Sequence, residues 1–131
     1  EKVGGEIYNG LVILLGVQKG DTEKDADFLV NKISGLRIFS DENDKMNLSI
    51  KDVDGSALVI SQFTLCGDLK KGRRPSFVNA APPEDGNRLY EYFMLEMKKV
   101  GVPIECGEFG ALMDVELVNN GPVTFVLNSK D

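Results

Sequence analysis

The chain has 131 residues, 42% of them hydrophobic and 27% charged, with a formal net charge of −6. That is enough chain for one domain with a real core and too little for two ordinary ones, and the composition is that of a globular protein. The acidic balance argues against bulk, sequence-blind nucleic-acid binding, no apolar run is long enough to span a membrane as a helix, and the first residues given do not read as a basic-then-apolar signal pattern. There is no histidine. That excludes Ser-His-Asp and Cys-His catalysis and any zinc site built on imidazole. The two cysteines, Cys66 and Cys106, are too few for a disulfide framework and read as reduced thiols.

In chain order, EKVGGEIYNG supports at most one short strand. LVILLGV (11–17) is a continuous apolar run closed by turn residues, which predicts a buried strand. GDTEKDADFLVNKISGL predicts a helix. Thr22 is its N-cap, Asp25 stands at the third helical position, Ala26, Leu29, Val30 and Ile33 fall on one face, and Gly35 stops it. LRIF predicts a strand and SDENDK a polar turn. ALVISQFTL (57–65) is the strongest strand signal in the chain. CGDLKKGRRPSFVNAAPPEDG then reads as a long loop, of the length that is usually functional or flexible. A second helix follows, with Leu89, Phe93, Met97 and Val100 on one face and Gly101 at its end. VPIEC, LMDVELVN and VTFVLN predict strands. In LMDVELVN, Met113, Val115 and Leu117 alternate with Asp114 and Glu116. The expected fold class is α/β: a single domain, residues 1–131, of mixed or antiparallel β-sheets with two main helices packed on one side.

Four stretches could carry chemistry. In SQFTL (61–65), Ser61, Gln62 and Thr64 either alternate to a solvated face or line a pocket at a strand end. Thr64 has no base to activate it as a nucleophile, so backbone amides near Phe63 and Thr64 are the better means of holding an oxyanion. KKGRRPSF sets Lys70, Lys71, Arg73 and Arg74 within five residues. It reads either as a solvated loop or as a contact to an RNA backbone. Phe109, between glycines in GEFGA, either fills a gap in the core or stacks on a base. Cys66 has no cationic neighbour in sequence and reads as structural. In NNGPVTF, the Gly121-Pro122 pair is either a plain turn before an edge strand or something more specific. Asp41 with Glu42 and Asp52 with Asp54 read as turn chemistry. No metal-ligand spacing and no phosphate-cradling glycine loop with its lysine emerges.

SQFTL, KKGRRPSF, GEFGALM and NNGPVTF, in that order and spacing, resemble the D-aminoacyl-tRNA deacylases, also called D-tyrosyl-tRNA deacylases. LLGVQKGDTEKDADFLVNKISGLRIFSDENDKMN resembles them as well, so the likeness runs from about Gly5 onward. The resemblance implies a cytoplasmic homodimer, with no cofactor or metal and no DNA or membrane partner. It implies hydrolysis of the ester between a D-amino acid and tRNA, and of glycine mischarged onto tRNA. It implies that Gly121 and Pro122 form a Gly-cis-Pro filter reaching into the partner's site, and that Ser61, Gln62, Phe63 and Thr64 line the opposing wall. It also implies that Phe109 meets the terminal adenine with Met113 nearby. Family members open on a further strand, which is not found here, so the domain is expected to lack its N-terminal strand. Two other readings remain: a non-catalytic dimeric module that binds aminoacyl-tRNA or a D-amino acid, and a structural interaction domain, which predicts a trans Gly121-Pro122 bond and no pocket beside Ser61.

Overall fold

The computed structural model describes residues 4–131. Five strands and two helices are formed: β1 (Gly10–Leu15), α1 (Glu23–Gly35), β2 (Phe39–Ser40), β3 (Met46–Leu48), β4 (Ser56–Ser61), α2 (Pro83–Lys99) and β5 (Ile104–Cys106). Of the short strand expected in EKVGGEIYNG, residues 1–3 lie outside the described residues and residues 4–9 form none.

β1, β4 and β5 make a three-stranded sheet in the order β1-β4-β5, parallel throughout. β2 and β3 form a separate antiparallel pair. The fold is therefore mixed α/β as expected, with a main sheet that is parallel. Two crossovers, β1 to β4 and β4 to β5, step the same way across that sheet. Right-handed crossovers stepping one way place their helices on one face, and α1 accordingly packs against α2, which lies on β4 and β5.

Register decides what that face buries. Leu11 pairs with Ala57 and Ile13 with Val59, while Ala57 pairs with Ile104 and Val59 with Cys106. Paired residues of a parallel ladder point the same way, so these side chains meet the helices together. Ala57, Val59, Phe93 and Met97 are fully buried there, with Ala26, Val30 and Ile33 from α1 and Leu89 and Tyr90 from α2. Both helical stripes expected from the sequence thus face the core. The opposite sheet face, Val12, Leu14, Leu58 and Ile60, is apolar too, yet Leu14 is 47% exposed. No helix covers it.

Helix ends follow their chemistry. The Thr22 amide donates to the Asp25 carboxylate at 2.9 Å, closing the first turn of α1. Pro83 opens α2 with Glu84 and Asp85 in its first turn and Lys98 and Lys99 in its last, matching the helix dipole. Gly101 takes φ +96° just beyond it.

Four expected strands differ. LRIF contributes only Phe39, because β2 pairs with a three-residue partner through an irregular register. ALVISQFTL stops at Ser61, after which Phe63–Cys66 coil into a 3₁₀ turn. LMDVELVN and VTFVLN form no strand. Their alternation is intact, but a strand needs a ladder neighbour, and among the described residues they have none. Leu112, Val118 and Val126 are consequently more than nine-tenths exposed.

The C-terminal end is tied back to α1. Ser129 Oγ and Lys130 Nζ donate to Asp25 Oδ1 at 2.9 and 2.6 Å, and Lys130 also lies 3.4 Å from Asp21. The Lys130 hydrogen bond, then the Thr22 amide, lower the Asp25 pKa from 3.8 to about 2. A depressed carboxylate stabilises the fold above its ordinary pKa, and that stabilisation fades as pH falls towards the folded value. Wild type should therefore melt higher than Asp25→Asn by a constant margin above about pH 5, and the margin should close between about pH 4 and pH 2. Thermal unfolding of both proteins across that range measures it.

Candidate active site

The site begins where β4 ends. The Gln62 amide donates to the Leu15 carbonyl at 2.8 Å, the last tie between β1 and β4, and the chain then turns. The Leu65 amide reaches Gln62 O at 3.2 Å and the Gly67 amide reaches Thr64 O at 3.0 Å, which closes the 3₁₀ turn. The first amides of any helical turn lack an internal acceptor. Those of Phe63 and Thr64 have no hydrogen-bond acceptor among the described residues. The turn is exposed: Phe63 is 57% and Leu65 56% accessible. Two N–H groups and the side chains of Ser61, Gln62 and Thr64 are therefore gathered in a few residues at the end of the sheet.

The Gln62 side-chain amide donates to the Thr64 hydroxyl. Among the described residues neither carboxylate nor amine bonds that hydroxyl, so none of them serves Thr64 as a base. Cys66 is buried at the end of the turn with its thiol aimed at the Val17 carbonyl, 3.5 Å away. Burial, then the charge of Asp21, push its pKa up, which makes it a poor nucleophile and fits the structural reading.

A groove of about 490 Å³ runs along the turn's exit, between Gln18 and Asn79 and over Leu65, Cys66 and Gly67, to Asp68, Leu69 and Lys70. Ser61 to Thr64, Gly121 and Pro122 are outside its lining. The cationic loop starts here. Asp68 and Ser76 exchange backbone hydrogen bonds of 2.7 and 2.9 Å, so the loop is pinched at its base and Lys70, Lys71, Arg73 and Arg74 project from the closed part. All four are exposed, and none forms an ion pair among the described residues.

Phe109 is half-buried. Its ring lies 5.8 Å from that of Tyr90 and against Gly86 of α2. Met113 lies over Gly107. The buried Tyr90 hydroxyl donates to Val59 O at 3.1 Å and lies 3.4 Å from Gly107 O. Tyr90 thus pins the turn that bears Phe109 and Met113 to β4, two residues before Ser61.

The Gly121-Pro122 peptide is cis, the geometry the resemblance implies. Both residues are exposed, and no hydrogen bond joins them to residues 61–64 within the chain. Asn119 braces this turn: its side chain accepts from the Val123 amide and donates to Thr124 Oγ1, each at 2.8 Å. Sequence reasoning missed Asn119 and Tyr90, although the Asn-Asn-Gly turn signal contained the first.

Comparison with known proteins identifies the family. The sequence profile of the D-Tyr-tRNA(Tyr) deacylase family matches residues 1–128. A D-aminoacyl-tRNA deacylase of Thermotoga petrophila is 54% identical over 129 residues, which cover 98% of this chain and 87% of that protein. One from Desulfatibacillum aliphaticivorans is 57% identical over 126 residues, covering 96% and 86%. A solved structure titled c-Myc DNA Unwinding Element Binding Protein superposes with a TM-score of 0.84 at 39% identity, covering 89% of this chain and 80% of that one. A probable eukaryotic D-amino acid tRNA deacylase shares the fold, with a TM-score of 0.60 at 15% identity over 76% of this chain and 74% of that one. The chain belongs to the D-aminoacyl-tRNA deacylase family, a family of hydrolases.

Gly121 has φ +135°, and a Cβ there would lie 2.8 Å from Val123 Cγ2. Gly121→Ala should therefore displace the turn, because both the backbone angle and the contact oppose it. Asn119→Ala should remove both braces, at about 0.5–1.5 kcal/mol each, whereas Asn119→Asp keeps the Val123 acceptor and should fall between. Chemical shifts of Val123 and Thr124, with denaturant midpoints, rank the three variants.

Proposed function

We propose that the protein hydrolyses the ester joining a D-amino acid to tRNA, releasing the free amino acid and the tRNA, and that it also removes glycine mischarged onto tRNA. The observation that carries this reading is the pair of acceptor-free amides of Phe63 and Thr64 on an exposed turn in a chain without histidine, within a family of deacylases. An aminoacyl ester is already activated, so orientation and oxyanion stabilisation meet most of the chemical demand. In this mechanism the substrate carbonyl sits over the 3₁₀ turn. The two amides donate to the developing oxyanion while water attacks. The terminal ribose 2′-hydroxyl assists the proton transfer. Thr64 holds its place through Gln62 and forms no covalent intermediate.

Chirality is judged by the Gly121 and Pro122 carbonyls of one protomer, acting in the site of its partner. They accept from the substrate α-amino group and occupy the space an L side chain needs. A D side chain points elsewhere and glycine has none, so the discrimination is steric and tolerates any side chain. Phe109, with Met113, receives the terminal adenine, and Lys70, Lys71, Arg73 and Arg74 contact the RNA backbone. The protein works in the cytoplasm as a homodimer. Support for pairing comes from the apolar strip of Leu112, Val118 and Val126 and the uncovered sheet face at Leu14, both exposed in the single chain.

Incubation with D-Tyr-tRNA and L-Tyr-tRNA, following ester loss, tests the assignment. Rapid loss of the D ester alone is expected. Loss of neither, with binding retained, would establish the non-catalytic module instead. Thr64→Ala should keep most of the wild-type rate, and complete loss with the fold intact would restore the nucleophile model.

Arg73→Ala with Arg74→Ala should raise KM more than it lowers kcat. The same pair should flatten the dependence of log affinity on log salt by about 0.7 for each phosphate left unneutralised. Excess duplex DNA should not compete.

A further inference from the structure

Phe77 closes the KKGRRPSF stretch, and sequence reasoning passed over it for the cations before it. Its ring packs edge-on against Phe63, with centroids 5.0 Å apart and planes at 63°. The same ring lies on the backbone at the turn's exit: a Cβ on Gly67 would be 3.1 Å from Phe77 Cε1 and 3.0 Å from Thr64 O. A Cβ there would be tighter than an ordinary contact, so the ring or the turn would have to give by a few tenths of an ångström to admit it. The main chain beside it is fixed as well. Ser76, its predecessor, is doubly bonded to Asp68, and the Phe77 carbonyl accepts from Ala80 at 3.0 Å. Phe63 and Phe77 are 57% and 36% exposed, so their contact lies outside the hydrophobic core. A ring pair kept at the surface, between a turn with acceptor-free amides and a loop with unpaired cations, is placed to set geometry more than to fill volume.

We infer that Phe77 is a positioning residue: it holds the Phe63–Cys66 turn in the aim its amides need, and it joins that turn to the cationic loop so that the two behave as one piece. The role rests on the deacylase reading above. Without the ring, Phe63 is deprived of its edge-to-face partner, and the turn keeps only its own backbone hydrogen bonds. The Phe63 and Thr64 amides then sample several directions, and the oxyanion they are meant to hold is met by fewer donors. The loop cations, anchored separately by the Asp68–Ser76 pinch, stay in place.

The test compares Phe77→Ala, Phe77→Leu and Phe77→Tyr with the Arg73→Ala, Arg74→Ala pair in deacylation of D-Tyr-tRNA. Phe77→Ala should lower kcat by about tenfold or more with KM little changed, the opposite split from the arginine pair. Phe77→Leu should fall nearly as far, and Phe77→Tyr, which keeps the ring, should restore most of the rate. Amide exchange supplies a second readout. The Leu65 and Gly67 amides should exchange faster in Phe77→Ala while those of β1 and α2 stay protected. Unchanged kcat, an effect confined to KM, or failure of Phe77→Tyr to rescue overturns the inference. Faster exchange throughout β1 and α2 also overturns it, since Phe77 would then act only on global stability. If wild type leaves the D ester intact, the deacylase reading falls, and exchange at Leu65 and Gly67 alone decides whether Phe77 holds the turn.

Discussion

Everything in this molecule hangs on the ladder between β1 and β4, and on where that ladder stops. Six paired positions, Gly10 with Ser56 through Leu15 with Ser61, hold the two strands parallel. One more bond, Gln62 N–H to Leu15 O, ends the run. A parallel pair cannot be joined by a hairpin, so the chain must leave the sheet at that end and return through a helix. The 3₁₀ turn is what leaving looks like here. Its leading amides have no ladder to join and no full helix behind them, and that is how two donors come to lie without acceptors at the end of β4.

The helices secure that position from below. α2 runs under β4, and its Tyr90 reaches up to Val59 O, so the strand is gripped just before the turn. The same hydroxyl lies near Gly107 O, which brings the Phe109 and Met113 turn under the same control. The loop from Gly67 to Pro82 is held on its other side, where the Lys19 amide meets Asn79 O and the Ala81 amide meets Val17 O. The loop is long, but it is fastened at several points, as far along as the Lys70 amide, which donates to Asp68 Oδ1 at 2.9 Å.

Much of this was legible in the sequence. The helical stripes were plain because a 3.6-residue period over three or four turns leaves little ambiguity. β1 and β4 declared themselves as apolar runs. The end of β4 did not, since SQFTL carries residues that suit a strand as well as a turn, and only the missing ladder partner beyond Leu15 decides between them. LMDVELVN and VTFVLN show the converse: their alternation is right, and the hydrogen-bonding neighbour that would make them strands is not among the described residues. Of the site, the sequence offered the residues but not their partners. Tyr90 reads as one more apolar position of α2, Phe77 as the tail of a basic loop, and Asn119 as turn filler. Each acts through a partner distant in sequence or across a turn, which no local pattern encodes.

The C-terminal strip has a consequence for the chain before it finds a companion. Met113, Val115 and Leu117 stand in the open with Asp114 and Glu116 between them. A bare row of apolar residues of this kind invites indiscriminate stacking with other chains. Two negative charges set within it repel a second identical row laid directly alongside, and so act as gatekeepers against aggregation.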